Sequence, residues 1–193
     1  MSKKMNVPSA TWTKEHADHM PDFLQHIVLG NLHDYLKAVT QDGDDLAQIT
    51  RIAYNLCVAL SSFWEHAFDA DAVAAKNYMS ADAKIISEIA NTYKHFKPNS
   101  PKTVRLIGFT RIRYIGVGRT PNTGRSRYKV TQTGGHHSLR DIPVETDGGR
   151  LTLNELLYRV IPEVMELSLN GKWISEEAAE ATIGDLDVLQ AMG

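Results

Sequence analysis

The segment from Asn91 to His95 carries side chains whose types and spacing could support catalysis. On a helix, Asn91, Lys94 and His95 lie at positions i, i+3 and i+4, so their polar groups share one face. Histidine exchanges protons near neutral pH, lysine stabilises a developing negative charge, and asparagine orients a hydroxyl or a phosphate. The cluster therefore predicts general acid–base chemistry, with His95 as the acid or base, Lys94 as the charge stabiliser and Asn91 as the orienting group.

The same cluster also has a structural interpretation, because it lies where a helix is expected to end before Pro98. Cations in the last turn of a helix complement the negative end of the helix dipole. Spacing alone favours this interpretation, and the catalytic one stays open beside it.

A long basic stretch follows the cluster. Between Glu88 and Asp141 the sequence contains no Asp or Glu. Its basic residues are Lys94, Lys97, Lys102, Arg105, Arg111, Arg113, Arg119, Arg125, Arg127, Lys129 and Arg140. Since the net charge of the whole chain is −2, the protein is acidic at both ends and basic in the middle.

Part of this stretch alternates as a β-hairpin does. One strand is predicted from Val104 and a return strand from Arg125 to Thr131, on either side of a turn-rich segment that contains Arg119. Side chains alternate across a strand, so the basic ones share a face. Those on this face are Arg111, Arg113, Arg125, Arg127 and Lys129. With a turn near Thr120, Arg113 would oppose Arg127 and Arg111 would oppose Lys129.

Opposed like charges cost roughly 0.2–1 kcal/mol per pair, so something negative must offset them. Nucleic acid phosphate is one such anion, and the hairpin therefore predicts binding of RNA or another polyanion. Three alternatives remain: acidic residues of the flanking segments or of a partner subunit cover the face, the cations protect a sheet edge from aggregation, or the hairpin binds an acidic protein.

The elements that must position these residues indicate one mainly α domain, 1–193: a helical bundle with an antiparallel β-hairpin inserted before the last long helix. Pro21 is predicted to open the first helix, Ser80 to cap a turn within the third helical region, and Thr152 with Glu155 to form a capping box. The predicted parts are a partly ordered lead-in (1–20), the helical bundle (21–97), the basic hairpin and loops (103–145), the closing helix (152–170) and an acidic tail (171–193).

A helical bundle whose late helix carries a polar residue four positions before a histidine resembles the HEPN superfamily of all-α domains. The resemblance covers residues 21–97 and 152–170. It implies a homodimer, RNA as partner, and metal-independent RNA cleavage without a cofactor, in prokaryotic or phage conflict systems. The family motif is an Arg followed four to six residues later by a His. Here no Arg stands at that distance, and Asn91–His95 is the nearest match.

Two other functions remain open. The protein could be a non-catalytic interaction module whose hairpin grips an acidic partner, as a phage-encoded inhibitor would. It could also be an enzyme with a small-molecule pocket between the bundle and the hairpin.

The remaining reactive residues predict no metal site and no cofactor site. His26 and His33 are two helical turns apart, about 10 Å, which is too far to share a metal ion. The single cysteine, Cys57, lies in an apolar run and is expected to be buried and inert. There is neither a signal peptide nor an apolar stretch of about 20 residues, so a cytoplasmic location without membrane contact is expected.

Overall fold

The computed structural model describes residues 14–40, 46–68, 71–94, 105–106, 110–113, 138–146 and 149–190. The α-helices in these ranges are α1 Lys14–Asp22, α2 Leu29–Thr40, α3 Leu46–Ala67, α4 Ala72–Tyr78, α5 Ala81–Lys94, α6 Leu153–Asn170, α7 Glu176–Asp185 and α8 Asp187–Gln190. A π-helical segment, Phe23–Val28, joins α1 to α2. The strands are β1 Arg105–Leu106, β2 Thr110–Arg113, β3 Ser138–Asp141, β4 Pro143–Thr146 and β5 Gly149–Thr152. The predicted fold class is confirmed: mainly α, with antiparallel strands before the last helices.

Helix α3 is the centre of the bundle, as its apolar sequence predicts. It packs against α2, the π-helical segment and α5. Apolar residues recur around most of its circumference, so it buries several faces at once. Its fully buried side chains include Ile49, Leu56, Leu60, Phe63 and Trp64.

The first helix begins earlier than predicted, at Lys14, and Pro21 lies inside it instead of opening it. Proline has no backbone N–H, so one intrahelical hydrogen bond is missing at Pro21. The π-helical segment begins two residues later, at Phe23, and the chain stays helical from α1 into α2.

Two short capping motifs divide the third helical region. The Asp71 carboxylate accepts the backbone N–H of Val73 and of Ala74, both at 3.0 Å, and starts α4. The Ser80 hydroxyl accepts the N–H of Ala83 at 3.1 Å and starts α5, as predicted.

The strands form two antiparallel sheets where the sequence predicts one hairpin. One sheet has the order β1–β4–β5, and the other pairs β2 with β3. β4 is the central strand of its sheet, between β1 and β5. Pro143 is tolerated there because it is the first residue of the strand. Strand β5 was not predicted, although the two residues between it and β4 are Asp-Gly, a sequence typical of β-hairpin turns.

The closing helix and the tail pack together. Helix α6 runs unbroken through Pro162 and buries Leu157, Val160 and Val164 among other residues. The Trp173 ring meets Phe63 edge-on, with ring centroids 6.1 Å apart, and anchors the tail to α3. A Cβ on Gly171 would lie 2.5 Å from Trp173 Cε2, so only glycine permits this approach.

Across the described part of the chain, no helix combines the length and apolarity that crossing a bilayer requires.

Candidate nucleic-acid interface

The two-stranded sheet, β2 with β3, is here called the ribbon, and its register brings like charges together. Arg111 stands opposite Arg140, and Arg113 stands opposite Ser138. The intervening pairs are Thr110 with Asp141 and Ile112 with Leu139. The predicted partner strand, 125–131, lies outside the described residues, so the pairings of Arg111 with Lys129 and of Arg113 with Arg127 are not described.

The two faces of the ribbon differ in charge. Because positions alternate along a strand, Arg111, Arg113 and Arg140 fall on one face and Asp141 falls on the other. Asp141 is buried, with 7% of its surface exposed, and β3 packs against α2. The acidic position therefore belongs to the inner face, and the three basic positions belong to the opposite one.

The buried carboxylate of Asp141 accepts hydrogen bonds from within the protein. Its Oδ1 accepts the backbone N–H of Ile142 at 2.8 Å and that of Asn154 at 3.2 Å. The Thr152 side chain also hydrogen-bonds to it. The hydrogen bond to Asn154 therefore joins β3 to the first turn of α6.

The first turn of α6 is fully capped, which explains why Asp141 is needed there. The N–H of Leu153 donates to the carbonyl of Ile142 at 2.9 Å. The N–H of Glu155 donates to Thr152 Oγ1 at 3.2 Å, and that of Thr152 donates to Glu155 Oε2 at 3.0 Å, so the predicted capping box is confirmed. With Asn154 N–H on Asp141, each donor of this turn has an acceptor inside the protein.

Burial raises the pKa values of two side chains in this region, Asp141 and Tyr35. Removal from water raises the pKa of Asp141 above its usual value, and the hydrogen bonds from Thr152, Asn154 and Ile142 oppose that rise only in part. Burial likewise raises the pKa of Tyr35 well above 10, with the Asp141 charge adding to the effect. The Tyr35 hydroxyl donates to Asn154 Oδ1 at 2.7 Å and ties α2 to α6.

In the three-stranded sheet, residues of opposite charge stand opposite each other on neighbouring strands. Arg105 stands opposite Glu145 on one side, and Arg150 stands opposite Glu145 on the other. Glu145 and Arg150 are both exposed. The charges of this row therefore alternate in sign across the sheet.

The structure describes only some of the predicted site residues. Asn91 is exposed in the last turn of α5, and Lys94 is the last residue of that helix, whereas His95 lies outside the described residues. Arg111 and Arg113 are both in β2. Arg119, Arg125, Arg127 and Lys129 also lie outside the described residues. Helix α5 contacts β1, so the two predicted regions are joined through neighbouring elements.

Arg140 is the basic position of the ribbon that the sequence reasoning missed. It was counted in the acid-free stretch but not placed on a strand. The available signal was the alternation Ser138-Leu139-Arg140-Asp141, in which an apolar and an acidic residue share the face opposite Arg140.

The predicted burial of Cys57 is confirmed. Cys57 is buried, and burial raises the pKa of its thiol to about 12, so it is protonated and unreactive at neutral pH. Among the residues that the structure describes, no group of three or more His, Cys, Asp or Glu side chains could hold a metal ion.

The chain matches no family model, and comparison with curated proteins and with solved structures gives no significant match either.

Proposed function

We propose that this protein binds RNA through the basic face of the ribbon, as an HEPN-like domain. The observation that carries the proposal is the register, which sets Arg111 directly opposite Arg140 within a stretch of sequence that has no acid between Glu88 and Asp141. Like charges held face to face are stabilised when a polyanion lies along them.

The positions of the nearest acids support an external anion. Asp141 adjoins Arg140 in sequence but belongs to the inner face, where its Oδ1 accepts two backbone N–H groups. Glu145, the next acid along the chain, stands opposite Arg105 and Arg150 in the other sheet. Neither acid is positioned to neutralise the pair Arg111 and Arg140.

RNA cleavage is a second part of the proposal. Asn91 is exposed at the end of α5, and Lys94 lies one helical turn further on. In this proposal His95 acts as general acid or base on the backbone that the ribbon holds, without a metal ion. The resemblance to HEPN domains also implies a homodimer. Light scattering after gel filtration measures the molar mass and so tests this oligomeric state.

Binding is tested by fluorescence anisotropy with a labelled single-stranded RNA at several salt concentrations. We expect the wild type to bind with an affinity that falls steeply as salt rises. The double variant Arg111→Gln/Arg140→Gln should bind at least tenfold more weakly, with a salt slope shallower by about two. The matched control Lys76→Gln/Lys84→Gln removes two exposed cations of α4 and α5 and should leave the affinity nearly unchanged.

Equal binding by the ribbon variant and the control would contradict the proposal. Duplex DNA in the same assay separates RNA from polyanions in general. Tight retention on heparin without any RNA or DNA binding would favour the alternative, an acidic protein partner for the ribbon.

Cleavage is tested separately by incubating the RNA with EDTA and resolving the products. We expect the wild type to cut and His95→Ala to lose at least 100-fold in rate while still binding. Equal cleavage by both proteins would remove His95 from the chemistry, and binding by the ribbon would stand independently.

A further inference from the structure

We propose that a groove between α2 and α7 binds a small organic amine, distinct from any anion on the ribbon. The groove has a volume of about 420 Å³ and is lined on one side by the middle of the π-helical segment and the first turns of α2. Ala178, Thr182 and Asp185 of α7 line the other side. Its volume is in the range of about 300–1,000 Å³ that small-molecule sites occupy.

The π-helical segment gives the groove an unusual wall. π-Helical turns are rare, and they occur frequently at functional sites. Gln25 and His26, in the middle of the segment, are exposed and line the groove. Phe23, the first residue of the segment, packs its ring at a tilt of 55° against His66 of α3, with ring centroids 4.6 Å apart, and this contact joins the segment to α3.

Gly30 has no packing reason to be glycine. It lies in a helix, its φ is not in the left-handed region, and a Cβ built on it would meet nothing within 4 Å. Glycine is disfavoured inside helices, so a neighbourless one needs another explanation. Gly30 lines the groove, and a side chain there would occupy the space available to a ligand.

Three side chains of the groove offer acceptor atoms to a ligand. The Asn31 Nδ2 donates to the carbonyl of Ile27 at 2.6 Å, which leaves Oδ1 for a ligand. The Thr182 hydroxyl donates to the carbonyl of Ala178 at 2.9 Å, which leaves its lone pairs. The Asp34 carboxylate is exposed on the same wall. These groups match a ligand that brings N–H donors.

The charge around the groove selects a cation among such donors. Asp34 and Asp185 are among the described residues that line it, and none of those lining residues is Lys or Arg. An alkylammonium group combines the positive charge with several N–H donors, and its methylene chain suits the apolar floor formed by Leu29, Leu32 and Leu36.

Isothermal titration of the RNA-free, full-length protein with spermidine tests this proposal, with 1,6-hexanediol as the uncharged probe. We expect saturable, one-to-one binding of spermidine and none of the diol. Gly30→Leu should weaken binding at least tenfold, whereas Gly30→Ala, which adds one carbon, should stay within about twofold. Asp34→Asn should weaken binding about fivefold, while the matched control Asp22→Asn, an exposed acid outside the groove, should not.

Absence of saturable spermidine binding by the wild type would overturn the proposal. Equal weakening by Asp22→Asn and Asp34→Asn would also overturn it, because a diffuse acidic surface would then explain the binding. Asp34→Asn keeps the test valid if Gly30→Leu misfolds. The ribbon variants should bind spermidine as the wild type does, so failure here is separable from failure of RNA binding.

Discussion

The two sheets handle charge in opposite ways. In the three-stranded sheet, Glu145 stands between Arg105 and Arg150, so opposite charges alternate across the strands. In the ribbon, Arg111 faces Arg140, and the neighbouring Asp141 belongs to the inner face. Among the described residues, the register thus sets an acid opposite a strand cation in the three-stranded sheet and a second cation opposite Arg111 in the ribbon. The proposed function assigns to the ribbon a negative partner from outside the chain.

The largest expected effect is a loss of stability when Asp141, the acid on the inner face of the ribbon, is replaced. Asp141→Ala removes the acceptor for the N–H groups of Ile142 and Asn154, and we expect it to lower the free energy of unfolding by roughly 2–4 kcal/mol. Urea denaturation followed by circular dichroism measures the loss. Asp141→Asn keeps an oxygen acceptor and should lose less than half as much. A loss below about 0.5 kcal/mol for Asp141→Ala would mean that this acid is not structural.

Giving the ribbon the charge pattern of the other sheet should separate stability from binding. Arg111→Glu places an acid opposite Arg140, so the free energy of unfolding should rise by about 0.5 kcal/mol. RNA affinity, measured by anisotropy, should fall at least tenfold, or about 1.4 kcal/mol. Lys76→Glu makes the same charge change on exposed α4 and should leave RNA affinity within about twofold. Unchanged affinity in Arg111→Glu would break the contrast between the sheets.

The pH dependence of stability should report the buried acid. Since the pKa of Asp141 is raised on folding, the native state holds its proton more tightly than the unfolded state does. Its contribution to stability is fully present below the ordinary pKa of about 3.8 and is lost as the pH rises through the native pKa. The free energy of unfolding of the wild type, measured relative to Asp141→Asn, should therefore fall as the pH is raised from about 3.5 towards neutrality. Parallel curves for the two proteins would contradict this assignment.

The smallest expected effect is on the compensated sheet. Glu145→Gln removes the negative charge between Arg105 and Arg150, and the exposed site limits the loss to about 0.5 kcal/mol in the free energy of unfolding. The loss should shrink in 1 M salt, because salt screens exposed charges. RNA affinity should stay the same or rise slightly. A loss that persists in high salt would indicate that the charge pattern is not its cause.

Local signals in the chain were sufficient for much of the bundle. The apolar period predicts α3, Ser80 predicts the start of α5, and Thr152 with Glu155 predicts the start of α6, and the structure confirms each of them. These features depend on residues within about one helical turn of each other, so neighbouring sequence carries the information. The acid-free stretch could also be identified from the sequence, because counting residue types does not require knowledge of the fold.

Contacts between residues distant in sequence were decided only by the tertiary structure. The pairing of Arg111 with Arg140 spans the segment between two strands, and strand register depends on which faces can be buried against the helices. The joining of Tyr35 to Asn154, and the groove between α2 and α7, likewise bring together residues more than a hundred positions apart. Side-chain types and local periods were in the sequence, but the partners of these side chains were set by the packing of the bundle.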